Sequence, residues 1–223
     1  MLIKDMCFSE YYGGYLVIEA DELTALLDPA FGIHDDDCYA LCSCYVETDG
    51  MVKFNVLSLG NSWDGPMRGL DDKNMLGFYT MQQVEDKEAR LLDPDDEMIE
   101  KNQPFFDATE ENVDDDILKT RHDGRLDDLR DYDYPDKVLA GLFNGRYIRE
   151  FPLEIKGVRG PFLSGKIEGE PMLALPYIYD KQVHLLAIPV GAQLSEEERQ
   201  EIDRMIKEME SHGLTFNGFS MRS

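Results

Sequence analysis

Positive charge is what this sequence has least of. Against 46 Asp and Glu it carries 22 Lys and Arg, a net charge of −24 over 223 residues. A folded monomer of this size exposes on the order of 10,000 Å², so its surface holds about one uncompensated negative charge per 400 Å². Polyanions are therefore poor partners. A phosphate backbone or an anionic membrane is gripped by Lys and Arg that release its counterions, and here repulsion would oppose that grip over most of the molecule. We expect neither direct nucleic-acid binding nor membrane attachment.

Long apolar runs are missing too. Lys4 and Asp5 interrupt the amino-terminal stretch before a signal peptide could form. Nothing later approaches the roughly 18 consecutive apolar residues of a membrane span. Cysteine is scarce: there are four, three of them bunched at 38, 42 and 44. That spacing is unlike the frame of a secreted disulfide protein, so reduced thiols and a cytoplasmic location are expected. Catalytic signatures are also lacking. There is no G-x-S-x-G, no H-E-x-x-H and no G-x-G-x-x-G, and no cofactor is expected.

What the chain does contain is apolar bulk. With 43% hydrophobic residues, 11 Phe and 11 Tyr, it can close a core despite its charge. Charge is unevenly spread. Residues 1–84 hold 14 acids and 4 bases, residues 85–136 hold 20 and 7, and residues 137–223 hold 12 and 11. We read these as a strand-rich amino-terminal part, an acidic and mostly helical insertion, and a strand-rich carboxyl-terminal part closed by a helix. The fold class is α+β, mainly antiparallel, and all three parts are compatible with one domain.

Local patterns give this outline its detail. Gly13-Gly14 reads as the reversal of a hairpin between Tyr11-Tyr12 and Tyr15–Ile18. Asp21 caps a short helix reaching Asp28. Strands at 38–47 and 51–59 are joined by Thr48-Asp49-Gly50, and Val52, Phe54 and Val56 alternate with Met51, Lys53 and Asn55 as a sheet with one covered face would require. Residues 60–72, with the only Trp at 63, are loop by composition. Pro135 to Gly145 reads as a two-turn helix with Val138, Leu139, Leu142 and Phe143 on one side. Strands are expected at 146–151, 153–158, 162–168, 172–179 and 182–189. Ser195 and Glu198 form a capping box for a final amphipathic helix whose buried stripe is Ile202, Met205, Ile206 and Met209.

Several residue groups carry chemistry by type. His34, Cys38, Cys42 and Cys44 suit zinc, but on a strand Cys38 and Cys44 are about 20 Å apart and cannot share an ion; they read as structural thiols. Gly160 to Lys166 has the spacing of a phosphate loop, yet Ile167 stands where a magnesium-binding hydroxyl belongs, and Gly169 and Pro171 forbid the helix that must follow. A hairpin explains the same residues. The acidic runs Asp35–Asp37, Asp114–Asp116 and Asp131-x-Asp133 lack the glycine and terminal glutamate of a calcium loop. His122 and Asp123, beside Arg121 and Arg125, read as a surface charge cluster. Arg146, Arg149, Lys156, Arg159 and Lys166 gather in a chain otherwise short of cations. They are expected to form a ladder that docks the acidic segment, or else a patch for a phosphate or carboxylate.

The resulting expectation is a non-enzymatic binding or inhibitory protein that engages a basic protein partner, such as a toxin, a nuclease or another nucleic-acid-binding protein. Complementary potentials speed encounter and select partners of opposite sign. The contact set would be Asp114, Asp115, Asp116, Asp127, Asp128, Asp131 and Asp133. The alternative is a metal-assisted hydrolase built from His34, Asp35, His122 and Asp123. A second alternative is a structural or assembly subunit.

Overall fold

The computed structural model describes residues 1–29, 32–65, 67–69, 77–93, 96–97, 113–143, 148–159, 162–167, 185–189, 195–197, 200, 203–204 and 207, some of the strand residues by backbone alone. The chain divides into two compact units. Unit 1 comprises Met1–Asn112 with Tyr132–Pro135, and unit 2 comprises Val113–Asp131 with Asp136–Ser223. The acidic stretch read as one insertion, 85–136, contributes residues to both.

Unit 1 is built on a six-stranded sheet. Its strands are β1 (Tyr15–Glu19), β2 (Tyr39–Val46), β3 (Val52–Gly60), β4 (Arg68–Gly69), β5 (Phe78–Thr80) and β6 (Ala89–Leu91), in the order β4-β3-β2-β1-β6, with β5 also on β3. Every pairing is antiparallel. The central hairpin β2–β3 lies where the alternation predicts it. Its turn works because Gly50 takes a φ of 86°, a left-handed value that favours glycine, and because the Asp49 carboxylate accepts the Met51 N–H at 2.9 Å.

The first face of this sheet holds Leu16, Ile18, Ala40, Cys42, Cys44, Phe54 and Val56, all buried. Phe8 and Tyr11 of α1 (Phe8–Tyr11) and Met81 and Val84 of α2 (Met81–Val84) are buried as well. α2 opens with a complete capping box, Thr80 and Gln83 exchanging bonds with each other's backbone. The second face is covered as well, which corrects the expectation of one wet face. Asn55, Leu57 and Ser58 are buried, and Val17, Leu41, Leu57 and Leu92 form a cluster against which Tyr15, Tyr39, Trp63 and Met67 pack. A β-bulge shifts the register between Leu41/Cys42 and their partners Ser58 and Val56, so Leu57 is the extra residue and joins that cluster.

Two further local readings are corrected. Gly13, at φ 69°, reverses no hairpin; it leaves α1 and aims the chain into β1. Asp21 opens a turn followed by a single 3-10 turn, Thr24–Leu26, rather than an α-helix.

The strands of unit 2 are β7 (Lys137–Phe143), β8 (Ile148–Arg159), β9 (Phe162–Ile167) and β10 (Leu185–Pro189), and they close into a four-stranded antiparallel barrel in the order β10-β7-β8-β9. The helix read over 135–145 is therefore the strand β7. Val138 is buried and the adjacent Leu139 is 45% exposed, which is period 2. Every residue from Lys137 to Phe143 also finds a β8 partner, and that pairing outweighs the weak local preference of a short segment containing Val138 and Gly141. β8 is one strand where two were read. Pro152 is exposed within it, opposite Leu139, while β9 pairing begins one residue later at Leu153. Gly165 is required where it stands, since a Cβ there would lie 2.4 Å from the Glu154 carbonyl oxygen.

The strand read at 172–179 and the stripe Ile202, Met205, Ile206 and Met209 lie outside the described residues. Glu196, Glu197, Gln200, Asp203, Arg204 and Lys207 are helical and exposed. Among the described residues no helix is long and apolar enough to cross a membrane.

Candidate functional site

The seven aspartates of the expected contact set fall on a short stretch whose arginines determine its shape. α3 (Asp115–Arg121) starts at Asp114, whose carboxylate accepts the Asp116 N–H at 2.8 Å. Asp115 and Asp116 add negative charge to the positive end of the helix dipole. The inward side of α3 follows helical spacing: Ile117 is half-buried, and Thr120 and Arg121 are buried.

Arg121 is the anchor. Its Nε lies 3.0 Å from Asp136 Oδ1 and its Nη2 lies 2.6 Å from Asp136 Oδ2, with side-chain exposures of 5% and 14%. The Asp136 carbonyl in turn accepts the Ile155 N–H at 2.6 Å, so one residue joins α3 to β8. A second guanidinium, Arg130, donates to Asp127 at 3.3 Å and to the Thr120 carbonyl at the end of α3. Burial pulls the pKa of Arg130 below the usual arginine value, against the opposing pull of Asp127 and then Asp136 and Asp123. Between the two arginines runs a 3-10 turn, Gly124–Leu129, capped by the Asp123 carboxylate. That carboxylate accepts the Arg125 N–H at 3.1 Å and grips its guanidinium at 2.9 and 2.7 Å, and this bonding holds its pKa below the ordinary aspartate value.

The aspartates divide three ways. Asp114, Asp115, Asp116, Asp128 and Asp131 are exposed on unit 2. Asp127 is turned inward onto Arg130, its side chain only 9% exposed. Asp133 belongs to unit 1, where its carboxylate accepts from Gln82 Nε2 at 3.1 Å and its carbonyl takes the Val52 N–H. Asp116 also pairs with Lys119 at 2.9 Å.

The basic group is partly described. Arg146 lies outside the described residues, and Arg149 and Arg159 are described by backbone alone, on β8. Lys156 pairs with Glu154, and Lys166, across from Glu154 on β9, is exposed. Gly165 and Lys166 stand in an extended strand, the geometry of a sheet and not of a phosphate loop. Of the hydrolase candidates, His34 and Asp35 are in unit 1 and His122 and Asp123 in unit 2. Among the described residues no group of three or more His, Cys, Asp or Glu is placed to hold a metal ion. The four cysteines are free thiols, and burial pushes that of Cys42 up.

Residues the sequence reading missed are Arg121, Arg130 and Asp136. Arg121 was grouped with His122 as surface charge. Its place four residues after Ile117, on the same side of α3, is the signal that puts it inside. Comparison of the chain with family models, with curated proteins and with solved structures found no match.

Proposed function

We propose that the protein is a non-enzymatic binding protein that presents the 113–131 segment to a basic protein partner. One observation carries this reading: the segment's charges are sorted. Arg121 and Arg130 are turned inward, 5% and 3% exposed, while Asp114, Asp115, Asp116, Asp128 and Asp131 stand in solvent. The cations that would neutralise the surface are spent on anchoring it. The exposed bases left to this segment, Lys119 and Arg125, are each already paired with a neighbouring aspartate. A net negative field held on an anchored segment attracts partners of opposite potential and limits the entropy lost on binding.

The test compares two variants of equal charge. One replaces Asp114, Asp115, Asp116, Asp128 and Asp131 by Asn, which keeps the cap at 114 because Asn caps as well as Asp. The other replaces Asp5, Glu10, Asp21, Asp35 and Glu88 of unit 1 by their amides. A partner recovered by affinity purification should be basic, should dissociate steeply as salt rises, and should be lost only to the first variant. Salt-insensitive binding, or equal loss with both variants, would refute the proposal.

A further inference from the structure

Three aspartates of the chain precede a glycine: Asp49-Gly50, Asp64-Gly65 and Asp123-Gly124. This dipeptide has a chemistry of its own. The glycine nitrogen, shielded by no side chain, can attack the aspartate Cγ and expel water, closing a five-membered succinimide. Water then opens the ring at either carbonyl and leaves aspartate or isoaspartate. The water lost in the first step returns in the second, so neither an oxidant nor a cofactor takes part. Ring closure has two requirements. The carboxyl must take up a proton, because a carboxylate offers no good leaving group, and neither the carboxyl nor the glycine N–H can be fixed elsewhere by hydrogen bonds.

The fold treats the three differently. In the β2–β3 turn the Asp49 carboxylate accepts the Met51 N–H at 2.9 Å and the Gly50 N–H donates to the Glu47 carbonyl at 2.8 Å, so both reacting groups are engaged. At 123 the carboxylate accepts the Arg125 N–H at 3.1 Å and its guanidinium at 2.9 and 2.7 Å, bonds that keep it ionised. Asp64 has no such restraint. Its side chain is 78% exposed and lies 3.4 Å from Arg90 Nη2, a contact that water and salt weaken. Among the described residues nothing hydrogen-bonds the Asp64 carboxylate or the Gly65 N–H. Both residues stand in bends outside any helix or strand, so the side chain is free to turn toward the next nitrogen.

We propose that Asp64-Gly65 is a site of spontaneous covalent modification, where the folded chain forms succinimide and then isoaspartate while Asp49 and Asp123 are protected. The product moves one methylene from the side chain into the main chain. That shortens the arm reaching Arg90, which then keeps Asp96, at 3.0 Å, as its carboxylate partner.

The test incubates the full chain at body temperature in mildly acidic buffer, digests it, and reads the peptides by electron-transfer fragmentation, which distinguishes isoaspartate from aspartate at each position. Isoaspartate should accumulate at 64 several times faster than at 49 or 123. Asp64→Glu keeps the charge but offers only a slower six-membered ring closure, so it should abolish the product at 64. In urea, where the hydrogen bonds at 49 and 123 are gone, the three rates should draw together. Absence of isoaspartate at 64, or equal accumulation at 49 or 123 in the folded chain, would overturn the proposal. So would a ranking that persists unchanged in urea, because flanking sequence and not the fold would then set it.

Discussion

Each unit contains an aspartate turned away from solvent and held by an arginine, and the two pairs are built in opposite ways. In unit 1, Asp37 is the buried partner, its side chain 3% exposed, and Arg68 reaches it from solvent at 39%. Asp37 has a second donor in the His34 N–H at 2.8 Å, and Arg68 a second acceptor in the Gly32 carbonyl at 2.9 Å. In unit 2 Arg121 is 5% exposed and Asp136 14%, and the Asp136 carboxylate accepts from both Nε and Nη2 of that one guanidinium. The difference concerns what happens on removal. Removing Arg68 opens a solvent-facing space through which water reaches Asp37, which also keeps the His34 N–H, whereas the space left by Arg121 is itself closed to solvent.

Arg121→Met therefore has the largest expected effect. It strands the Asp136 carboxylate, and breaking a buried pair from one side costs roughly 3–5 kcal/mol. Urea unfolding of the full chain, followed by hydrogen exchange at the α3 amides, measures it. Arg121→Met combined with Asp136→Leu should recover most of the loss, since an apolar pair of similar volume removes the uncompensated charge. Without that recovery, the cost would lie in lost packing of the arginine stem and the contrast between the pairs would fail. Arg68→Met comes second, at about 1–3 kcal/mol, the worth of a hydrogen bond to a charged group. Trp63 fluorescence during denaturation reads this end of the molecule, and a loss equal to that of Arg121→Met would erase the distinction.

The same contrast explains what the sequence made legible. The hairpin β2–β3 was readable because alternation, Asp49 and Gly50 all act within a dozen residues, and the antiparallel α+β class followed. β7 was misread because Val138, Leu139, Leu142 and Phe143 satisfy helical spacing as well as they satisfy a strand, and only the β8 partner decides. The role of Asp136 was invisible for a similar reason. Its carboxylate meets a helix 15 residues earlier and its carbonyl meets a strand well downstream. In the two triple-aspartate runs, sequence treated every member alike. The fold consumes Asp37 at the end of one run and Asp114 at the start of the other, leaving Asp35 and Asp115 in solvent.

That last parallel gives the third prediction. Asp114→Ala removes the cap of α3 and should cost about 1 kcal/mol, while Asp114→Asn should cost far less. Amide exchange in the first turn of α3 separates them. If alanine proves as good as asparagine, the Arg121 anchor alone sets the helix boundary, and unit 2 relies on its buried pair even more than the comparison claims.

The smallest expected effect is at Asp123, the exposed-side counterpart of these buried pairs, because its partner Arg125 is 62% exposed. Arg125 bonding holds the Asp123 carboxyl below its usual 3.8. A carboxyl lowered in the folded state adds stability above its unfolded value, and that contribution fades as pH falls through the lower folded value. The 3-10 turn at Gly124–Leu129 should therefore hold at neutral pH and loosen only in strong acid, with water and salt weakening the effect. A carboxyl titration by NMR should show Asp123 moving up toward 3.8 in Arg125→Gln. The Arg121 side of the segment should keep its amide protection in that variant, because Arg121 is 5% exposed where Arg125 is 62% exposed. A joint loss would mean that the segment opens as one piece and that its inner and outer ion pairs are not independent.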